Sequence, residues 1–273
     1  MTANRLVQRL DAARTSGTPR LLPYITAGYP SLDVTMQLLH RFNAAGCPAV
    51  EIGFPFSDSI ADGPVIQDSF YRALDSGFRV PDLFERISAE RASLETALLA
   101  MVSLSIVRRF GLEAFAQRAA ESGFDGLIVP DVPVDESAQL SQAATTAGLC
   151  SVLMCAPTSP ETRQQHIAEH ASGFIYLIAA KGITGERGRL ADDLLTNVAR
   201  LKNVTTTPVV VGFGISTPEQ VREVCSAADG VIIGSAIISR IRAALEAGRP
   251  HEDIVKEVGD YVDELSAASV PAT

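Results

Sequence analysis

The sequence predicts an α/β protein of one architecture, a (β/α)8 TIM barrel with an extra N-terminal helix, and three observations support this. Eight short apolar runs alternate with longer runs of helical period. Several of the eight are apolar on both faces, as parallel strands covered by helices should be. The chain has 273 residues, close to the roughly 250 of one such barrel, and no shift in composition divides it. Residues 1–273 are therefore expected to form one domain. An open doubly wound sheet is the competing arrangement, but no G-x-G-x-x-G follows the first strand to support a dinucleotide-binding sheet.

A first helix, Asn4–Arg14, precedes strand one and is expected to cover the barrel bottom. Leu21–Thr26 is strand one. Ser31 or Asp33 caps a helix running through Ala45, in which Val34, Leu38 and Phe42 recur at helical spacing. Ala49–Gly53, Ala97–Met101 and Gly126–Val129 are strands two to four, and the helix Leu112–Ser122 turns Phe115 and Ala119 inward. Asp135–Ala147 is a helix opening on a carboxylate, where the helix dipole favours one. Cys150–Met154 and Phe174–Ile178 are strands five and six. Pro208–Val211 is strand seven, since proline can begin a strand but not occupy its middle. Thr217-Pro218-Glu219 is a clean helix start, and Gly230–Ile233 is strand eight. Ala236–Leu245 and Asp253–Leu265 are the last helices, and Ser266–Thr273 reads as a frayed end.

Composition excludes several function classes. A net charge of −9 leaves no wide basic face for a nucleic-acid backbone, although backbone N–H groups can hold a phosphate without any lysine. No stretch approaches 18 uncharged apolar residues, and the opening MTANRLVQRL lacks the apolar core of a signal peptide, so no membrane span and a cytoplasmic location are expected. Cys47, Cys150, Cys155 and Cys225 show no metal-ligand spacing and read as buried thiols of a reducing compartment. His166 and His170 share a helix face without a third ligand and read as exposed, as do His40 and His251. No Ser-His-Asp, Cys-His or H-E-x-x-H signature is present, and metal use is not indicated.

In such a barrel the active site lies at the C-terminal ends of the strands. Glu51 is the odd residue there, set between Val50 and Ile52 in an apolar strand. A lone carboxylate in that setting costs much free energy unless it is paired, hydrogen-bonded or protonated. Either it braces a neighbour through a salt bridge, or it is an acid or base whose proton affinity its surroundings adjust. Asp62 follows in the next loop, with Asp58. It is either a turn residue before Gly63 or the second of two carboxylates with different tasks. Gly212-Phe213-Gly214 and Gly234-Ser235 end strands seven and eight, where barrels often hold phosphate, and Ser235 can add a hydroxyl donor. Lys181–Gly188, with Thr184 and Gly185, is a loop of the kind that closes over substrate, while Arg187 and Arg189 read as solvent-facing or loop-bracing. Phe54 and Phe56 flank Pro55, either exposed toward an aromatic substrate or partner, or packed on neighbouring loops.

The same residues carry a resemblance. From about Arg5 to Ala243 the chain resembles the alpha subunit of tryptophan synthase, most specifically in EIGFPFSDSIADGPVIQ at Glu51–Gln67. Supporting stretches are PYITAGYP at Pro23–Pro30, GLIVPDVPVDES at Gly126–Ser137, KGITG at Lys181–Gly185, VGFGIS at Val211–Ser216 and IIGSAII at Ile232–Ile238. The resemblance implies a lyase that cleaves indole-3-glycerol phosphate to indole and glyceraldehyde 3-phosphate, with no cofactor in this chain. It implies that Glu51 is the acid and base and that Asp62 holds the indole N–H. It places Tyr24, Tyr176 and Thr184 in the substrate pocket or its loop, and Gly185, Phe213, Gly214, Gly234 and Ser235 around the phosphate. It further implies an α2β2 tetramer, in which a beta subunit holds pyridoxal phosphate and receives indole for L-tryptophan synthesis. The Phe54–Asp62 loop and the Pro130–Pro133 region would meet that partner.

Three stretches depart from the family pattern. Met101–Ile106 lacks the usual tyrosine and Asn-Pro, Ser57-Asp58-Ser59 replaces S-D-P, and Ala179-Ala180 replaces a serine-arginine pair. Two other expectations therefore stand beside the first: a free-standing lyase that releases indole, and a non-catalytic barrel that activates a partner.

Overall fold

The computed structural model describes residues 4–59, 62–132, 134–179, 192–212 and 214–270, except for the side chains of 134, 135, 192 and 193. Eight strands form a closed parallel barrel: β1 (Leu21–Thr26), β2 (Ala49–Gly53), β3 (Ala97–Met101), β4 (Gly126–Ile128), β5 (Cys150–Cys155), β6 (Ile175–Ile178), β7 (Val209–Gly212) and β8 (Gly230–Ile233). Each pairs with the next, and β8 pairs back with β1, aligning Leu22 with Ile232. The predicted strand ends differ from these by one residue at most. Pro208 stands just outside β7, where its carbonyl accepts from Ile175 N at 2.8 Å and its missing N–H costs nothing.

Among the described residues, twelve α-helices pack on the barrel: α1 (Arg5–Thr15), α2 (Leu32–Ala44), α3 (Pro64–Asp75), α4 (Val80–Glu90), α5 (Leu104–Phe110), α6 (Leu112–Ser122), α7 (Val134–Thr146), α8 (Glu161–His170), α9 (Asp192–Val204), α10 (Pro218–Cys225), α11 (Ser235–Glu246) and α12 (His251–Ser269). Among the described residues, no helix is long and apolar enough to cross a membrane. Ser31 caps α2 by accepting from Val34 N, and Thr217 with Gln220 forms a full capping box at α10. The expected starts of both helices are thus met by side-chain acceptors for their first free N–H groups.

As expected, α1 covers the barrel bottom. Asn4 caps it by accepting from Leu6 N, and its amide donates to the carbonyls of Asp125 and Gly148, each at 2.9 Å. Leu6 and Leu10 are fully buried. The same end of the barrel carries two matched carboxylates. Asp125, before β4, accepts from Leu98 N on β3 at 2.8 Å and from Arg91 at 2.9 Å. Asp229, before β8, accepts from Val209 N on β7 at 2.8 Å and from Lys202 at 3.0 Å. Each is an Asp-Gly pair opening a strand, four strands apart. Gly123 is required nearby: its φ of +99° suits glycine, and a Cβ there would overlap the Arg91 side chain.

The C-terminal expectation needs correction. Ser266 does not begin a frayed end, because α12 continues to Ser269 and both serines are buried. Ser269 Oγ accepts from Arg20 N at 2.9 Å and donates to the Ser266 carbonyl at 2.7 Å. Small, weakly apolar residues look like a tail when read locally, but here their size lets α12 lie close against the start of β1.

Replacing Asp125 with alanine should leave Arg91, which is itself mostly buried, without its counter-charge, and the Leu98 amide without its acceptor. The expected loss is about 3–5 kcal/mol, read from urea unfolding. A loss below about 1 kcal/mol, the scale of an exposed pair, would contradict this view of the barrel bottom.

Candidate active site

Strand parity builds the site. Side chains alternate along β2, so Glu51 and Gly53 face the barrel interior while Ile52 and the following Phe54 face the helices. Register aligns Tyr24 of β1 with Glu51, and the tyrosine ring occupies the space a Cβ at Gly53 would fill. Gly212 of β7 likewise makes room for the ring of Tyr176. Two phenols and one carboxyl therefore converge at the mouth end of the barrel. With them, Asp62, Gly214, Gly234 and Ser235 line a cavity completed by Gly63, Ile66, Met101, Ile215 and Ile232. The space between these residues is about 620 Å³, with the open solvent at the mouth included.

Glu51 is 1% exposed, and neither carboxyl oxygen has a hydrogen-bond partner among the described residues. The bracing salt bridge weighed from sequence is thus absent among them. Burial, reinforced by the nearby charge of Asp62, pushes Glu51 up to about 8. Asp62 is less enclosed. Burial and the charge of Asp131 push it up to about 6. At neutral pH the deeper carboxyl holds its proton and the shallower one is ionised. The same burial, with the carboxyls nearby, holds both tyrosines in their neutral form.

Asp62 is placed by its own turn. Its N–H donates to the Ser59 carbonyl at 3.1 Å, and Gln67 of α3 donates to the carbonyls of Ser59 and Asp62 at 2.9 and 2.8 Å. Asp62 is thus a turn residue, as one of the sequence readings has it, and also lines the cavity. A buried run of hydroxyls joins the cavity wall to α3. Ser69 Oγ donates to the Ile66 carbonyl at 2.7 Å, so it accepts from Thr26 at 2.7 Å, which in turn accepts from Tyr24 at 3.4 Å. Sequence reading gave Gln67 and Ser69 no separate role because both lie in α3, not at a strand end.

The mouth also has a surface fit for an anion. Gly214 is exposed with φ +76°, and α11 begins after Gly234 with no side-chain cap. Gly234 and Ser235, where α11 begins, line the cavity, and a helix N-terminus favours negative charge. No lysine or arginine lines the cavity among the described residues. Thr184, Gly185 and Phe213, with Arg187 and Arg189, lie outside the described residues.

Several sequence readings change. Phe54 is not an exposed aromatic: it is fully buried, with ring centroids 5.8–6.1 Å from Phe84, Phe115 and Phe124. Its peptide continues the ladder to Met101 O at 2.8 Å, so strand parity sends it outward under the helices. Phe56 is half-buried on Phe70. His166 and His170 are half-buried and stacked at 4.3 Å, with His166 Nε2 3.1 Å from Ser137 Oγ, because α8 packs against α7. The departure after β3 also has a structural counterpart. Ser103 caps α5 and donates to Asp131 at 2.8 Å, while Asp131 accepts from Leu104 N at 2.8 Å. The four cysteines are free, and burial raises all four thiols, Cys47 to about 12. No cluster of three or more His, Cys, Asp or Glu fit to hold a metal ion occurs among the described residues.

Comparison with known proteins gives consistent results. Residues 10–269 match the family model described as tryptophan synthase alpha chain. The tryptophan synthase alpha chain of Chloroflexus aggregans is 38% identical, covering 97% of this chain and 98% of that one. The corresponding chain of Gloeobacter violaceus is 41% identical over 91% of this chain and 88% of its own length. Among solved structures, the tryptophan synthase subunit alpha of Legionella pneumophila superposes with a TM-score of 0.88 at 33% identity, covering 98% of this chain and 99% of that one. A chain of Mycobacterium tuberculosis tryptophan synthase superposes at 0.87 with 30% identity, covering 99% and 100%.

The burial of Glu51 has a consequence for stability. The folded chain holds this proton more tightly than the unfolded one, so the contribution is full below about pH 4.5 and is lost as pH rises through about 8. Glu51→Gln, neutral throughout, should match wild type in acid and exceed it at pH 8 by on the order of a few kcal/mol. Melting temperatures across that range test this. Parallel curves for the two proteins would contradict it.

Proposed function

Because the chain belongs to the tryptophan synthase alpha chain family, whose activity is an aldol cleavage, we propose that it splits indole-3-glycerol phosphate into indole and glyceraldehyde 3-phosphate. The observation that carries this is the Glu51 carboxyl, buried and without a hydrogen-bond partner among the described residues, in a cavity whose second carboxyl, Asp62, titrates lower. The protonated Glu51 gives its proton to C3 of the indole ring, which becomes a cationic indolenine. Asp62, ionised, accepts the ring N–H and balances that positive charge. The Glu51 carboxylate then takes the proton of the glycerol hydroxyl next to the ring. The carbon–carbon bond breaks, its electron pair restores the indole, and the aldehyde leaves with the phosphate. Glu51 ends the cycle protonated, so no external acid, base or oxidant is consumed.

Tyr24 and Tyr176 flank the ring as neutral phenols. Gly214, Gly234 and Ser235 offer backbone and hydroxyl donors to the phosphate; the phosphate role of Gly185 and Phe213 and the substrate-loop role of Thr184, all outside the described residues, are carried over from the family resemblance alone. The proposal treats residues 1–273 as one catalytic domain acting in the cytoplasm. It also includes a beta subunit in an α2β2 tetramer. A groove lined by Phe56, Tyr71 and Leu74 beside the Ser57–Ser59 loop supports a partner at this mouth, Tyr71 being 68% exposed. Pyridoxal phosphate would be held by that partner.

Indole release by the purified chain, with and without added beta subunit, tests this reading. Turnover is expected alone and should rise with the partner. Turnover unchanged by the partner would support the free-standing lyase, and none in either condition would reject the activity. Glu51→Gln should lower kcat by about 10²–10⁴-fold with substrate binding largely retained, and Asp62→Asn should lose most activity. Near-normal rates in either variant would remove that residue from the mechanism.

The pH profile follows from the same pair. kcat/KM should rise through about 6 as Asp62 ionises and fall above about 8 as Glu51 loses its proton, with both limbs belonging to the coupled pair. A profile flat across that window would contradict the assignment.

A further inference from the structure

The anion surface has two walls from two separate elements. One is the segment after β7, residues 214–217; the other is the N-terminus of α11 after Gly234. A cradle of backbone donors is effective only when its walls are held at a fixed separation. The first wall starts at Gly214, exposed and in the left-handed region that favours glycine. One side chain from elsewhere reaches both walls. Tyr261 of α12 is 7% exposed, and its hydroxyl donates to the Ser216 carbonyl at 2.7 Å. The guanidinium of Arg240, in the second turn of α11, lies 3.8 Å over the Tyr261 ring centroid. On its other side the Ser216 peptide is held by Gln220, whose Oε1 accepts from Ser216 N at 2.9 Å and from Thr217 N at 3.2 Å.

We propose that Tyr261 is a positioning residue that clamps the 214–217 segment to α11 and thereby sets affinity for the phosphate end of the substrate. This rests on the phosphate reading given above. Tyr261 touches neither substrate nor reacting atoms. It acts through the Ser216 carbonyl at one end and through Arg240 at the other. Its effect therefore falls on ground-state binding of the phosphate group, and the proton transfers at Glu51 are left alone.

The test uses the full chain and Tyr261→Phe, which keeps the ring beneath Arg240 and removes only the hydroxyl. KM for indole-3-glycerol phosphate and the inhibition constant of inorganic phosphate should both rise roughly 3- to 10-fold, the worth of one neutral hydrogen bond, with kcat nearly unchanged. Cleavage of indole-3-glycerol, which lacks the phosphate, should be unaffected, and the melting temperature should fall by only about 2–4 °C, since the hydrogen bond is present in the free chain. Arg240→Leu, which removes the cation over the ring, should weaken phosphate inhibition in the same direction. A wild-type chain indifferent to phosphate would overturn the phosphate reading and the clamp with it. A phosphate-sensitive wild type whose inhibition constant is unchanged in Tyr261→Phe would overturn the clamp alone. So would an equal loss with the unphosphorylated compound, which would mark a structural role only.

Discussion

A carboxyl group held inside a closed barrel with no hydrogen-bond partner among the described residues is an unfavourable arrangement, and the site follows from how this fold sustains it. The barrel closes on itself through β1 and β8, so β2 cannot turn Glu51 outward without moving Ile52 and Phe54 into the interior. Phe54 is anchored among three other phenylalanines under the helices. The packing outside the barrel therefore fixes the direction of the acid inside it. The carboxyl responds to its surroundings by keeping its proton.

That single constraint separates the two carboxyls chemically. Glu51 is enclosed by apolar residues and two phenols. Asp62 sits in a hydrogen-bonded turn nearer solvent, tied by Gln67 to the first turns of α3. One sequence stretch, Glu51–Gln67, thus supplies the buried acid, the shallower anion and the residue that holds the anion's turn. The opposite end of the barrel has a different task. There Asp125 and Asp229 satisfy strand amides and pair with basic side chains, whereas no lysine or arginine lines the mouth cavity among the described residues.

Much of this was legible in the sequence because it depends on local period and strand ends. Eight apolar runs gave the barrel, and the misfit of Glu51 in its strand marked the interior face. Parity from Glu51 also assigns Phe54 to the outer face, so its burial was readable in principle; treating the residues after the strand as loop hid it. Ser269 and Tyr261 were not readable, because each acts on a residue far away in the chain, Arg20 and Ser216 respectively. The same holds for Asp131, whose bonds to Ser103 and Leu104 brace the segment where the family's tyrosine and Asn-Pro are missing. Thus the altered stretch after β3 is capped rather than left open, and it lies beside the cavity without supplying a carboxyl to it.

The central claim is that Glu51 retains its proton at neutral pH in the substrate-free chain. Infrared difference spectroscopy of the carboxyl stretch, titrated in wild type and Glu51→Gln, reads this directly. The account predicts a protonated-carboxyl band, absent from the variant, that disappears with a midpoint near about 8. A band lost near the ordinary glutamate value of about 4.5, or one that persists in Glu51→Gln, would contradict it.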